Sequence, residues 1–208
     1  MEMEGILPIN QKWKQLCFYT LVITFFQCSP SFFPNEKNSS NLENPSLPLI
    51  SVSLGSYLSP SRFDAYAEKN IDWNRFLGTW IEIKRIDNPF QSGLTNVSAE
   101  YSLREDGNIR VKNQGISSNG PTTIEGIALL PDPNFGKLKV SFLYPIFFGD
   151  YLILKIDRQG YQSALIGGPE SNFLWVFSRE KTISQSIETE YILYAQTIGY
   201  DTNRLQKF

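Results

Sequence analysis

Histidine is absent from all 208 residues, which removes the commonest general base and the commonest transition-metal ligand at once. The only thiols, Cys17 and Cys28, lie near the N-terminus, so the body of the chain has no thiol nucleophile, disulfide or zinc cluster. Chemistry would have to come from carboxylates, Lys, Tyr or Ser, and no Ser lies in a Gly-x-Ser-x-Gly elbow. What the residue types do offer is apolar surface: 15 Phe and 10 Tyr, many at alternate positions. Two of the residues that stand out are Trp80, in the run Gly78-Thr79-Trp80, and Arg179, at the end of Phe173-Leu174-Trp175-Val176-Phe177-Ser178-Arg179. A guanidinium stacked on an indole gains roughly 0.5–2 kcal/mol while its spare donors cap nearby carbonyls. For these two to meet, the first and last strands of one sheet must lie side by side, and a sheet whose ends meet is a closed barrel.

The elements between them fit that requirement. Period-two alternation runs through Trp80-Ile81-Glu82-Ile83-Lys84, residues 97–103, 109–113, 122–130, 137–144, 151–157, 162–167 and 173–179, with turn residues between. Leu138, Val140, Phe142 and Tyr144 alternate with Lys137, Lys139 and Ser141, so one face is inside. Short antiparallel strands with tight turns and no intervening helices leave a sandwich or a barrel. The period then changes: Ile187, Tyr191, Tyr194 and Ile198 recur at helical spacing, with Ser184 placed to cap the start and Gly199 to end it. This helix has one apolar stripe and is expected on the outer wall of the sheet.

At the N-terminus, Lys12 and Lys14 precede the apolar stretch 16–26, which fits the ~7–15-residue core of a secretory signal and falls short of the ~20 residues of a membrane span. Cys28 directly after it resembles the lipid-modified cysteine of bacterial lipoproteins, whose two acyl chains would anchor a protein stably. Simple secretion is the alternative. Residues 29–69, rich in Ser, Asn and Pro, read as a flexible tether, and residues 70–208 as the folded domain. Nineteen basic and 21 acidic residues give a net charge of -2 with no basic block, so there is no footprint for nucleic acid.

On these residues the chain resembles the lipocalin family, and within it the bacterial lipocalins of the outer-membrane lipoprotein type, relatives of apolipoprotein D. The family's G-x-W is Gly78-Thr79-Trp80; its T-D-Y is reduced to Ile156-Asp157-Arg158; its closing Arg is Arg179. Ala99-Glu100-Tyr101-Ser102-Leu103-Arg104 and Ala164-Leu165-Ile166-Gly167-Gly168-Pro169 match the bacterial branch. The resemblance implies an eight-stranded antiparallel up-and-down barrel with a C-terminal helix packed outside. It further implies binding, storage or transport of fatty acids or lysophospholipids without catalysis, at the outer membrane facing the periplasm, in membrane maintenance or stress. No cofactor or metal is implied, and a homodimer is left open.

In such a barrel Gly78, Trp80 and Arg179 close the floor. Parity then places Val97, Ala99, Val140, Phe142, Tyr151, Ile153, Phe173 and Trp175 as ligand-facing residues, with Phe177 and Val140 deep. Lys155 shares parity with Ile153, and Glu82 and Lys84 with Trp80, so the two lysines are candidates either for meeting an anionic head group or for an ion pair. The loop 144–149 is unusually apolar for a turn and is expected at the cavity mouth, against a bilayer or against a second subunit. Two other readings stand beside the carrier: a surface-interaction domain whose barrel is filled by its own side chains, and an enzyme on the same fold.

Overall fold

The computed structural model describes residues 60–208. Eight strands, β1 (Gly78–Ile86), β2 (Thr95–Leu103), β3 (Ile109–Ser117), β4 (Gly120–Leu129), β5 (Lys137–Leu143), β6 (Phe147–Ile156), β7 (Ser163–Gly167) and β8 (Leu174–Ser178), follow one another around a single antiparallel sheet. β1 pairs with β8 on one side and β2 on the other, so the sheet closes. Each strand sits beside its sequence neighbour because the turns are short, which is the up-and-down topology. A ninth, two-residue strand, β9 (Leu205–Gln206), pairs with β1 beyond the point where β2 stops.

Alternation divides the apolar residues between two cores. Inside the barrel lie Trp80, Ala99, Tyr101, Val111, Ala128, Leu138, Ile153, Ile166 and Phe177. Outside, Ile83, Ile86, Leu152, Leu154, Leu165 and Val176 meet the helix α2 (Gln185–Thr197) through Tyr191 and Ala195. The ends of α2 are as the sequence expects: Ser184 accepts the Ile187 N–H and Gly199 takes a φ of +97° that an L side chain would resist. The Tyr191 hydroxyl, 3.0 Å from Ser163 Oγ, ties the helix to β7.

Residues 61–69, expected in the tether by composition, are instead part of this outer core. Phe63 is 1% exposed and stacks on Tyr200 at 4.0 Å, the Glu68 N–H donates to the Ile153 carbonyl, and Asp64 pairs with Lys137 at 2.6 Å. Polar composition hid two well-spaced apolar anchors, Phe63 and Ala67. The expected signal, Cys28 and the rest of the tether lie outside the described residues.

Candidate functional site

The barrel has a floor and a mouth, and its sequence decides which is which. At the floor, α1 (Trp73–Phe76) is started by the Asp72 carboxylate accepting the Arg75 N–H. It is then pinned from three directions. Trp80 Nε1 donates to the Phe76 carbonyl at 2.8 Å, Trp73 Nε1 to the Pro133 carbonyl at 2.8 Å, and the Asp72 N–H to the Tyr161 hydroxyl at 2.9 Å. The Arg179 guanidinium lies 3.8 Å from the Trp80 ring centroid and donates to the carbonyls of Arg75, Phe76, Leu77, Thr79 and Tyr161. Gly78 has a φ of +93° and faces Arg179, so this turn needs its missing Cβ. Asp157, the surviving member of the second motif, would have its carboxyl raised by burial. Backbone N–H bonds from Gly160, Gln162 and Gln159 outweigh that and hold it below the usual range.

Above the floor, Phe76, Trp80 and Tyr101 pack ring against ring at 5.2–5.3 Å, and the Tyr101 and Tyr151 hydroxyls share a bond of 2.7 Å. Burial pushes both phenols well above their ordinary value, so both are neutral donors or acceptors in an apolar surround. Higher still, Val140, Phe142, Tyr151 and Trp175 are partly buried against this core. Trp175 Nε1 donates to Gln91 Oε1 at 2.7 Å, and Gln91 Nε2 donates to Glu82 Oε2 at 2.9 Å. Glu82 also accepts from Arg85 at 2.5 Å, and Arg85 donates to the carbonyls of Gln91 and Leu94. This buried pair carries its own cost: desolvation raises the Glu82 carboxyl despite the guanidinium beside it. The Phe208 ring covers Arg85 at 3.6 Å.

An apolar shaft, solid below and ringed at its mouth by one polar network, can accept a hydrocarbon tail and leave a head near solvent. It holds no nucleophile beside a base, and no group of three metal-binding side chains occurs among the described residues. Two clefts lie elsewhere. One of about 350 Å³ opens on the wall between β4 and β5, beside Arg110, Glu125, Ile127 and Phe142; one of about 430 Å³ lies beside Asp87, Asn203, Arg204 and Gln206.

The model of the lipocalin-like domain matches residues 71–208. The outer membrane lipoprotein Blc of Citrobacter freundii is 42% identical over 139 residues, covering 65% of this chain and 77% of its own. The chain is a lipocalin. The Blc of Escherichia coli K12 is 36% identical over 173 residues, covering 76% of this lipocalin and 93% of its own chain. Temperature-induced lipocalin-1 of Arabidopsis thaliana is 36% identical, covering 67% and 79%. Among solved structures, lobster apocrustacyanin A1 overlays with a TM-score of 0.55 at 21% identity, covering 78% of this chain and 85% of that one, a likeness of fold. The outer-membrane lipoprotein localisation that the resemblance implies for this lipocalin is the one its bacterial relatives carry in their names.

Six residues expected to face the lumen, Ala99, Val140, Phe142, Tyr151, Ile153 and Trp175, lie in or against the inner core of this lipocalin. Ala99 and Ile153 are fully buried there, below Phe142 and Trp175. Val97 is buried beside Gly115, where a bulge shifts the register of β2 on β3. Phe173 lies just outside β8, with its ring 6.2 Å from Trp175 and 6.1 Å from Phe90.

The two lysines do not face inward. A bulge between Glu82 and Lys84 turns Lys84 out to Glu188 at 2.6 Å, and another between Ile153 and Lys155 turns Lys155 out over the Tyr194 ring at 4.4 Å. One extra residue reverses every parity after it, and strict alternation counts cannot see that. The same bulge in β1 brings Arg85 inward, the cation the alternation missed. Tyr101 was within reach, since it shares parity with Ala99. Phe76, Trp73 and Ile71 were not, because they precede the first strand and carry no periodic signal.

Proposed function

We propose that this lipocalin binds single-chain amphiphiles, fatty acids or lysophospholipids, in the barrel lumen, and stores or carries them at the outer membrane without catalysis. The observation that supports it most is the graded lumen: aromatic and closed from Trp80 to Tyr101, partly open around Val140, Phe142, Tyr151 and Trp175, and ringed at its mouth by the polar network of Glu82, Arg85 and Gln91. Each buried methylene adds ~0.8 kcal/mol, so a tail running from the mouth toward Tyr151 binds without a charged anchor. Val97, Ala99, Ile153 and Phe173 complete the proposed lining. Acylation of Cys28 would hold the barrel at the membrane, and a role in membrane maintenance follows from that placement.

The test is to strip the protein of lipid and titrate it with a fluorescent fatty acid and a lysophospholipid while following tryptophan emission. Saturable binding with a change in Trp175 emission is expected. Absence of saturable binding to any amphiphile overturns the carrier reading. It would favour the surface-interaction reading, which the solid lower lumen supports, with Ala128, Leu138, Ile153 and Ile166 all fully buried.

A further inference from the structure

The open end of the barrel differs from the floor in a way that the lumen does not require. Eight large apolar side chains are exposed among the described residues. Four of them, Phe90, Ile116, Tyr144 and Ile146, belong to the loops and strand ends around the mouth. Phe90 and Ile146 are 48% and 46% exposed, and Tyr144 is 60% exposed with its ring edge-on to Phe148. Exposed apolar side chains are ordinary when scattered, but a set gathered on one rim marks an interaction surface.

Charge follows the same asymmetry. The four connections at the mouth, residues 87–94, 118–119, 144–146 and 168–173, contain two charged residues, Asp87 and Glu170, and no lysine or arginine. The four at the floor, residues 104–108, 130–136, 157–162 and 179–184, contain nine. A rim meant for water would not be depleted in this way; the arginine beside Asp87, Arg204, belongs to the C-terminal segment at one side of the mouth.

The first described residues also lie on that side: Ser61 Oγ donates to the carbonyl of Pro169, in the connection from β7 to β8 at the mouth. Aromatic rings also lead inward from the rim. Phe90 lies 6.1 Å from Phe173, and Phe173 stacks at 6.2 Å on Trp175, which is already in the lumen.

We propose that this rim seats on the surface of a lipid bilayer, with Phe90 and Ile146 entering the acyl boundary, so that the mouth opens onto the membrane and not into water. The interaction is mainly apolar, because the four connections that form the rim carry no lysine or arginine. It therefore holds on zwitterionic lipid and persists at high salt. It concerns the outer face of the rim and does not depend on which amphiphile fills the lumen.

The test uses the full chain with Cys17→Ser and Cys28→Ser, carrying a single new cysteine labelled with an environment-sensitive fluorophore. One protein bears Ile146→Cys at the rim, and the other Leu103→Cys at the floor, where Leu103 is 64% exposed. Each is mixed with phosphatidylcholine vesicles whose lipids carry spin-label quenchers. The label at 146 is expected to shift to the blue and lose intensity to the lipid-borne quencher, unchanged by added salt, while the label at 103 does neither. Adding Phe90→Asp should weaken the quenching at 146. Equal behaviour at the two sites overturns the proposal. So does a blue shift at 146 without quenching, which means that a second copy of the chain covers the rim.

Discussion

The guanidinium of Arg179 lies 3.8 Å from the centre of the Trp80 ring and donates to five backbone carbonyls around it, those of Arg75, Phe76, Leu77, Thr79 and Tyr161. One side chain thus holds α1, β1 and the turn between β6 and β7 together. Arg179→Lys keeps the charge but loses the planar fork, and it leaves several carbonyls uncapped. It is expected to cost about 2–4 kcal/mol, from lost charge-assisted bonds partly screened at a half-exposed site, read as a lower urea midpoint. A change below about 0.5 kcal/mol would mean that water replaces the guanidinium at no cost, and that the barrel closes without it.

Glu82 and Arg85 form the second pair, buried just inside the mouth. Arg85→Met removes the cation and strands a carboxylate, with an expected loss of about 3–5 kcal/mol at neutral pH. Adding Glu82→Gln to it should recover much of that. The sign of the pH dependence follows from Glu82 itself. Its folded value is raised above 4.5, so the native state holds its proton more tightly than the unfolded chain does. The stability of the parent relative to Glu82→Gln should therefore be highest below pH 4.5 and fall as pH rises through the raised value. Urea midpoints of both proteins between pH 4 and 7 measure this, and the opposite slope would show that the ion pair outweighs its burial.

How far these sites could be read in advance differs between the pairs. Trp80 and Arg179 sit at fixed ends of strands whose alternation is unbroken between them and the floor, so residue type and position are enough. Arg85 lies three residues past Glu82 on the wrong parity, and only the bulge after Glu82 turns it inward. The strain and pairing that create a bulge come from the neighbouring strand β8, far away in sequence. Residues 61–69 were hidden for a different reason, since the two residues that anchor them, Phe63 and Ala67, are too few to outweigh a polar composition. The helix needed neither, because its cap, stripe and terminating glycine are all local.

Gly167, near the top of β7, lies under the Tyr200 hydroxyl and against Leu154, in the outer core. Tyr200 in turn donates to the Gly168 carbonyl at 2.9 Å and stacks on Phe63. Gly167→Ala places a methyl where the phenol sits, and neither the ring nor the strand has room to yield. The expected cost is about 1–3 kcal/mol, with loss of protection in the amides of α2 and residues 61–67 before those of the barrel. Hydrogen exchange reads this directly. Uniform loss across all strands would mean that the outer layer and the barrel unfold as one unit.

The Tyr101 and Tyr151 hydroxyls, bonded at 2.7 Å, mark the depth at which the lumen changes from filled to partly open. Burial holds both protonated far above their ordinary value of 10, so their neutral, bonded form contributes stability at pH 10 and below, and that contribution is lost as pH rises further. Absorbance titration should show the exposed tyrosines ionising first and these two only as the barrel unfolds. Tyr151→Phe alone strands the Tyr101 hydroxyl and should cost about 1–3 kcal/mol, whereas Tyr101→Phe with Tyr151→Phe removes both partners and should cost less. The double variant also decides which way a bound amphiphile points. A tail that reaches down to this level meets a more apolar wall and binds as well as before or better. A head group seated there loses its two hydroxyl partners, and the affinity for a lysophospholipid or fatty acid, measured by tryptophan emission, would fall.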